Sequence, residues 1–174
     1  MNRKIAWCIS GGEYFLKEVL EFIKTLGPSH VKLFISKAGI EVIDFLEYKS
    51  LINMPYIEER TSSGLELLSV LTGNISKVVV APCTSNTVAK FVYGIADSLC
   101  TNLVAQAQKA GTEVFVLPTD VNDTIIFTTK SGKKVELKRR KIDRENIEKL
   151  SKMELFRVFY SPEALKKEIL SEIA

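Results

Sequence analysis

The residues best suited to chemistry gather at four points where an apolar run gives way to small and hydroxylated side chains. These are Ser10-Gly11-Gly12, Ser36-Lys37-Ala38, Pro82-Cys83-Thr84-Ser85-Asn86-Thr87 and Pro118-Thr119-Asp120. A phosphate is held by backbone N–H groups at helix starts with hydroxyls beside them, and Ser10, Gly11, Gly12 and Ser36 supply that combination. The Ser10-Gly11-Gly12 step is equally a tight turn, and Ser36 equally a helix N-cap. No G-x-x-x-x-G-K-[ST] loop is present, which argues against a nucleoside triphosphate site. No G-x-G-x-x-G follows the first apolar run, which weakens a dinucleotide reading.

The remaining reactive side chains are few. Cys8, Cys83 and Cys100 are odd in number and far apart, with no C-x-x-C pair. That pattern gives little support to a disulfide framework, a zinc site or an iron–sulfur cluster. Cys83 lies within the third cluster and reads as a small packing residue, with a redox role as the alternative. His30 is the single histidine. It reads as a surface turn residue rather than a catalyst. Trp7 reads as core.

These clusters need elements to position them. Lys4–Ile9 and Val31–Ile35 are short apolar strands. Residues 78–81 form a continuous β-branched run, as in a strand buried on both faces, and Pro82 ends it. A fourth strand covers 113–117, stopped by Pro118. Between them, residues 14–26 carry apolar side chains at helical spacing and stop at Gly27-Pro28. Helices are also predicted over 38–48, 63–71, 85–93 and 98–110, while 49–61 shows no clear period. Thr124–Thr128 and residues 133–138 read as a hairpin around Ser131-Gly132. Asp143 is the expected N-cap of a helix to about residue 153, a fifth strand fits 156–160, and Ser161-Pro162-Glu163 opens a last helix. Strands alternating with helices long enough for parallel crossovers point to a doubly wound α/β fold. That fold is Rossmann- or flavodoxin-like, with a mostly parallel sheet, helices on both faces and a projecting β-hairpin.

The chain of 174 residues reads as one domain over 1–174, with the hairpin and C-terminal extension at about 121–160. It is 46% hydrophobic and 26% charged, a soluble globular balance. No apolar run approaches the roughly 20 residues needed to cross a bilayer. The start reads as a strand and turn rather than a signal peptide, so a cytoplasmic address is expected. The net charge of +3 says little, but its distribution says more. Lys130, Lys133, Lys134, Lys138, Arg139, Arg140, Lys141 and Arg144 lie on or beside the hairpin. They could steer an acidic partner or simply solvate the arm. No aromatic residues interleave with them, so nucleic acid is not expected.

Residues 81–102, APCTSNTVAKFVYGIADSLCTN, are far more specific than the turns. The run resembles the flavoprotein family of phosphopantothenoylcysteine decarboxylases, peptidyl-cysteine decarboxylases and flavin prenyltransferases. Those proteins share A-P-x-(T/S)-x-N-T-x-(A/G)-K followed by G-(I/L)-x-D-x-L-x-T, and the resemblance covers about residues 4–120. It implies FMN held at the strand ends, in homotrimers or multiples of them, with the flavin at a subunit interface. Position by position, it implies that Ser10, Gly11, Ser36 and Ala38 hold the ribityl phosphate. Thr84, Ser85, Asn86 and Thr87 would contact the ribityl chain and ring. Asp97 and Ser98 would reach the edge of a neighbour's flavin. Gly12, Pro82, Cys83, Lys90, Pro118 and Thr119 complete the implied cofactor-binding set. No catalytic residue and no metal ligand is implied.

Departures from the family pattern bear on activity. The decarboxylases use a histidine before the third strand, and residues 63–74 have none. Their P-x-M-N-x-x-M clamp is replaced here by Pro118-Thr119-Asp120-Val121-Asn122-Asp123. The R-E-x-P segment of the prenyltransferases is also missing. Decarboxylation is therefore disfavoured. The G-I-A-D-x-L-x-T-N run and the segment 141–153 are most similar to the archaeoflavoproteins, which implies an FMN electron-transfer protein accepting electrons from a ferredoxin. A branch of dihydromethanopterin reductases resembles these but adds cysteine-rich, cluster-binding sequence, whereas this chain has no cysteine beyond Cys100. Reduction of a pterin-like substrate, or prenyl transfer to flavin, is the enzymatic alternative.

Overall fold

A computed structural model describes residues 3–59, 67, 72, 74–129 and 131–173. The elements in chain order are β1 (Lys4–Ile9), α1 (Leu16–His30), β2 (Val31–Ile35), α2 (Lys37–Phe45), a 3₁₀ turn (Tyr48–Leu51) and β3 (Tyr56–Glu58). They continue with β4 (Ile75–Cys83), α3 (Ser85–Val92), α4 (Leu99–Lys109) and β5 (Val114–Pro118). The last are β6 (Thr124–Thr128), β7 (Lys134–Lys138), α5 (Lys141–Leu150), β8 (Phe156–Val158) and α6 (Pro162–Ile173).

Six strands form one sheet in the order β3-β2-β1-β4-β5-β8, and every pairing in it is parallel. Side chains alternate along each strand, so each strand feeds two cores. Ile5, Trp7 and Ile9 of β1 face a layer that includes α1, Ile43 of α2, and Leu165 and Ile169 of α6. Ala6 and Cys8 face the opposite layer, built from α3, α4 and α5. Trp7 is fully buried as expected, and its Nε1 donates to Ala81 O at 2.9 Å. Burying a side chain of this class stabilises the fold by roughly 1.5–3 kcal/mol. At the sheet's amino-end edge, buried Lys77 pairs with Glu113 at 3.1 Å and with Glu172, tying α6 to the sheet.

The architecture is the expected doubly wound α/β fold, and the differences are local. The unperiodic stretch holds β3, a three-residue edge strand pairing with Leu33, Phe34 and Ile35. Too short to show alternation, it owes its extended form to the β2 edge. Pro82 does not end the third core strand. It lies within β4, preceded by a cis peptide, and the β4–β5 register shifts between Val80 and Cys83 where its missing N–H would otherwise break the ladder. Gly27 breaks α1 as expected, at φ 69°, but a further turn carries the helix to His30. His30 Nδ1 sits 2.9 Å from Leu26 O, a turn contact. Asp143 is not an N-cap. Arg140 is, and Asp143 at the third helical position accepts from Arg140 N at 3.3 Å. Ser161 does cap α6, accepting from Ala164 N at 3.2 Å. The helix expected over 63–71 falls largely outside the described residues.

Against the expectation from their spacing, two of the three cysteines pair. Cys8 of β1 and Cys100 of α4 form a disulfide across 92 residues, leaving Cys83 free and buried. Spacing along the chain cannot show this pair, because the fold alone brings α4 over β1.

The hairpin β6–β7 is antiparallel and pairs only with itself among the described residues. Its base is fastened by Arg139, whose guanidinium donates to Val121 O at 2.9 Å and to Asp123 Oδ1 at 2.6 Å. No described helix is long and apolar enough to cross a membrane.

Candidate functional site

The order of the sheet creates a crevice. β1 and β4 are neighbours, but α1 leaves β1 toward one face while α3 leaves β4 toward the other. Ligands of open parallel sheets bind at such a switch point, beyond the carboxyl ends of the strands.

Ser10 locks the two strand ends together. Its hydroxyl donates to Pro82 O at 2.9 Å and accepts from Thr84 N at 2.9 Å. Its own N–H donates to Pro82 O at 3.2 Å. Ser10 is therefore first a clamp for the crevice floor. Gly11 and Gly12 then pass too close to their neighbours for any side chain. A Cβ on Gly11 would lie 2.6 Å from Ala38 Cβ, and one on Gly12 would lie 2.4 Å from Thr119 Cγ2.

Three helix N-termini open at this edge. Ser36 caps α2 by accepting from Gly39 N at 3.0 Å. Thr84 caps α3, with its Oγ1 3.0 Å from that of Thr87. Ser98 caps α4 in a capping box with Thr101. Glu59 links two of them, accepting from Lys37 N at 2.9 Å and from Leu99 N at 2.6 Å. Sequence reasoning missed Glu59, because a carboxylate after a short edge strand gives no local sign that it ends between two helix starts. With Lys37 and Gly39 engaged, the Ala38 N–H is left without a partner among the described residues, as is that of Gly11. Aligned helix termini favour an anion there.

A cleft of about 500 Å³ extends from this floor. Gly11, Gly12, Thr84, Thr119 and Asp120 contribute its polar part. Tyr14, Phe15, Tyr48, and Ile125, Ile126 and Leu137 of the hairpin make the rest of the wall, with Glu13, Lys17 and Glu18 at α1. The hairpin thus does more than project: it walls the site. Asp120 is the other residue that sequence reasoning left unassigned. Its Oδ2 accepts from the hydroxyls of Ser85 and Thr119, the latter at 3.1 Å.

The predicted site residues divide accordingly. Ser10, Gly11, Gly12, Ser36, Ala38, Pro82, Thr84, Ser85, Thr87 and Thr119 converge on the strand ends. Pro118 pairs in register with Cys83, behind them. Asn86 is exposed, and Lys90 holds Asp97 at 2.7 Å in a solvent-facing pair away from the cleft lining. Cys83 is fully buried. Burial, and secondarily the charge of Asp120, pushes its thiol well above the ordinary range. The thiol therefore stays protonated and unreactive at neutral pH.

The sequence model of the Flavoprotein family matches residues 1–172. The chain belongs to the flavoprotein family. A relative within reach of this flavoprotein is an uncharacterized protein of Methanocaldococcus jannaschii, 36% identical over 98% of this chain and 96% of that one. The dihydromethanopterin reductase (acceptor) of the same organism is 35% identical over 82% of this chain, which spans 63% of that reductase. Among solved structures, Burkholderia xenovorans DmrB in complex with FMN, a cubic protein cage for redox transfer, is similar with a TM-score of 0.85. It is 30% identical, over 98% of this chain and 95% of that one.

Proposed function

We propose that this protein binds FMN at the β1–β4 switch point and works as an electron-transfer flavoprotein. The observation that carries the reading is the twin-glycine turn. It brings the Gly11 and Ala38 N–H groups and the Ser36 hydroxyl to one place where no other side chain fits. The donor set matches a phosphate monoester, and the aromatic and apolar walls of the cleft match a flat ring. Gly11, Ser36 and Ala38 would hold the phosphate, while Thr84, Ser85 and Thr87 would meet the ribityl chain and ring. When bound, FMN supplies redox chemistry by one or two electrons. The chain's own part is to hold it, exclude water and set its partners.

Homo-oligomers, trimers or multiples of them, complete this reading. The FMN-bound relative is a cage. Ile126 and Leu137 stand 66% and 51% exposed on the hairpin, apolar surface that a second copy would cover. Asn86, and the Lys90–Asp97 pair with Ser98 beyond it, would then face a neighbour's cofactor.

A ferredoxin is the proposed donor. Lys133, Lys134, Lys138 and Arg144 are exposed and make no ion pair among the described residues, whereas Arg139 and Arg140 are engaged with Asp123 and Asp143. The first group would steer an acidic partner. Lys130 lies outside the described residues. A second reading, reduction of a pterin-like substrate, draws on the 35% identity to the reductase and on the unpaired carboxylate of Asp120 in the cleft.

The test starts from the visible spectrum and an FMN titration of the purified apoprotein. A protein that stays colourless at saturating FMN refutes the proposal. For the donor, Lys133→Glu/Lys134→Glu/Lys138→Glu should slow ferredoxin-dependent reduction at low salt and flatten its salt dependence. An unchanged rate excludes the basic arm as the dock.

A further inference from the structure

Two helix starts meet beside the phosphate cradle, and the protein fills the space between them with a charge of its own. Glu59 Oε2 accepts from Lys37 N of α2 at 2.9 Å, and its Oε1 accepts from Leu99 N of α4 at 2.6 Å. No described lysine or arginine forms an ion pair with this carboxylate, so the positive ends of the two helices are its counter-charge. Both helix starts are held in place. A Cβ on Gly39 would lie 2.9 Å from Ile9 O, so α2 begins in contact with the end of β1. Cys100 ties the first turn of α4 to Cys8 of β1. Glu59 therefore bridges two fixed points, and its carboxylate cannot swing aside without leaving both helix N–H groups without an acceptor.

What remains beside it is a set of three donors. The Ser36 hydroxyl accepts from Gly39 N at 3.0 Å, which leaves its own hydrogen free to donate. The N–H groups of Gly11 and Ala38 are the other two. A phosphate monoester has three terminal oxygens, one for each donor. The inner phosphate of a diphosphate has only two, and it carries a second charged phosphate that needs donors of its own. The neighbouring main-chain donors on α2 are Lys37 N, taken by Glu59, and Gly39 N, taken by Ser36. A second phosphate placed there meets a carboxylate instead of N–H groups, and like charges side by side repel.

We infer that Glu59 makes this a site for a single terminal phosphate. It rejects flavins that carry a diphosphate, and it weakens FMN binding to a smaller degree. The rejection comes from a built-in repulsive group rather than from added contacts. This rests on the FMN reading and names the residue that sets which flavin nucleotide is taken.

The test uses the whole chain as apoprotein with two probes, FMN and riboflavin 5′-diphosphate, which share one ring system and differ by a phosphate. Dissociation constants come from quenching of flavin fluorescence and from calorimetry, so no turnover is needed. The wild type should prefer FMN by about ten- to a hundredfold, the scale of a like-charge contact at a partly exposed site. Glu59→Gln keeps the shape and removes the charge. It should tighten the diphosphate more than FMN and reduce the preference by about tenfold. Glu58→Gln, one residue earlier on β3 and exposed, removes the same charge without touching either helix start. It should leave the preference as it is. Equal wild-type affinity for the two probes overturns the inference without any variant. So does an unchanged preference in Glu59→Gln, or an equal shift in Glu58→Gln. A wild type that binds neither flavin is a different result, because it refutes the FMN reading and takes this inference with it.

Discussion

Removal of the Cys8–Cys100 disulfide is the perturbation whose magnitude the structure defines best. The bond closes a loop of 92 residues. The chain-entropy relation assigns such a closure about 4.6 kcal/mol, through fewer conformations of the unfolded chain. A measured 2–4 kcal/mol is more typical of disulfides, and a domain of this size has only about 5–15 kcal/mol in total. Reduction should therefore remove a large share of the stability. Both sulfurs are buried, so reductant acts through unfolding rather than on the native surface. The assay compares urea unfolding of oxidised protein, of protein reduced in denaturant and refolded under reductant, and of Cys8→Ala/Cys100→Ala. At a slope of about 2 kcal/mol/M the midpoint should fall by about 1–2 M. Thiol counting gives an independent check. Unfolded, unreduced protein should alkylate at Cys83 alone, with Cys8 and Cys100 reacting only after reduction. Coincident midpoints with and without reductant, or three reactive thiols before reduction, would refute the reasoning.

Other outcomes follow from the site. Gly11→Ala should cost more than Gly12→Ala, within about 1–3 kcal/mol for overpacking, because the atom met is the fixed Cβ of Ala38 in one case and a rotatable methyl of Thr119 in the other. Thr119→Ser should rescue Gly12→Ala but not Gly11→Ala in thermal unfolding. Glu59→Ala strips two helix starts of their acceptor and should lower apoprotein stability by about 1–2 kcal/mol. It also removes negative charge beside α2, so FMN affinity should rise, and a fall would misplace the phosphate. Cys83 should resist iodoacetamide at pH 8 until the protein unfolds. The thiol ionises more readily in the unfolded chain than in the native state. Its contribution is thus complete below the ordinary thiol range and declines above it, by about 1.4 kcal/mol per pH unit, a slope that Cys83→Ala should lessen.

The parallel sheet was legible because its strands are continuous apolar runs, and the helices between them carry clear spacing. Residues 81–102 marked the site because several small, polar positions recur there in fixed order. What stayed hidden depends on contacts between distant segments. β3 is extended only because β2 offers it an edge. Cys100 reaches Cys8 only once α4 has crossed the sheet. Glu59 and Asp120 look like ordinary surface carboxylates along the chain, and gain their roles from helix starts and hydroxyls contributed by other elements. Pro82 misled for a local reason, since a proline in a central strand is tolerated only where the ladder shifts register.

The base of the hairpin arm is fastened to the body where Arg139 pins the two stems beside Asp120. Neither of its strands takes part in the six-stranded sheet. No described residue between 124 and 138 belongs to either buried cluster, so an insertion, deletion or exchange there should spare the core of the domain. Such changes alter one wall of the cleft and the surface shown to other proteins. Lineages built on this scaffold are free to revise what the arm grips without rebuilding the machinery beneath it.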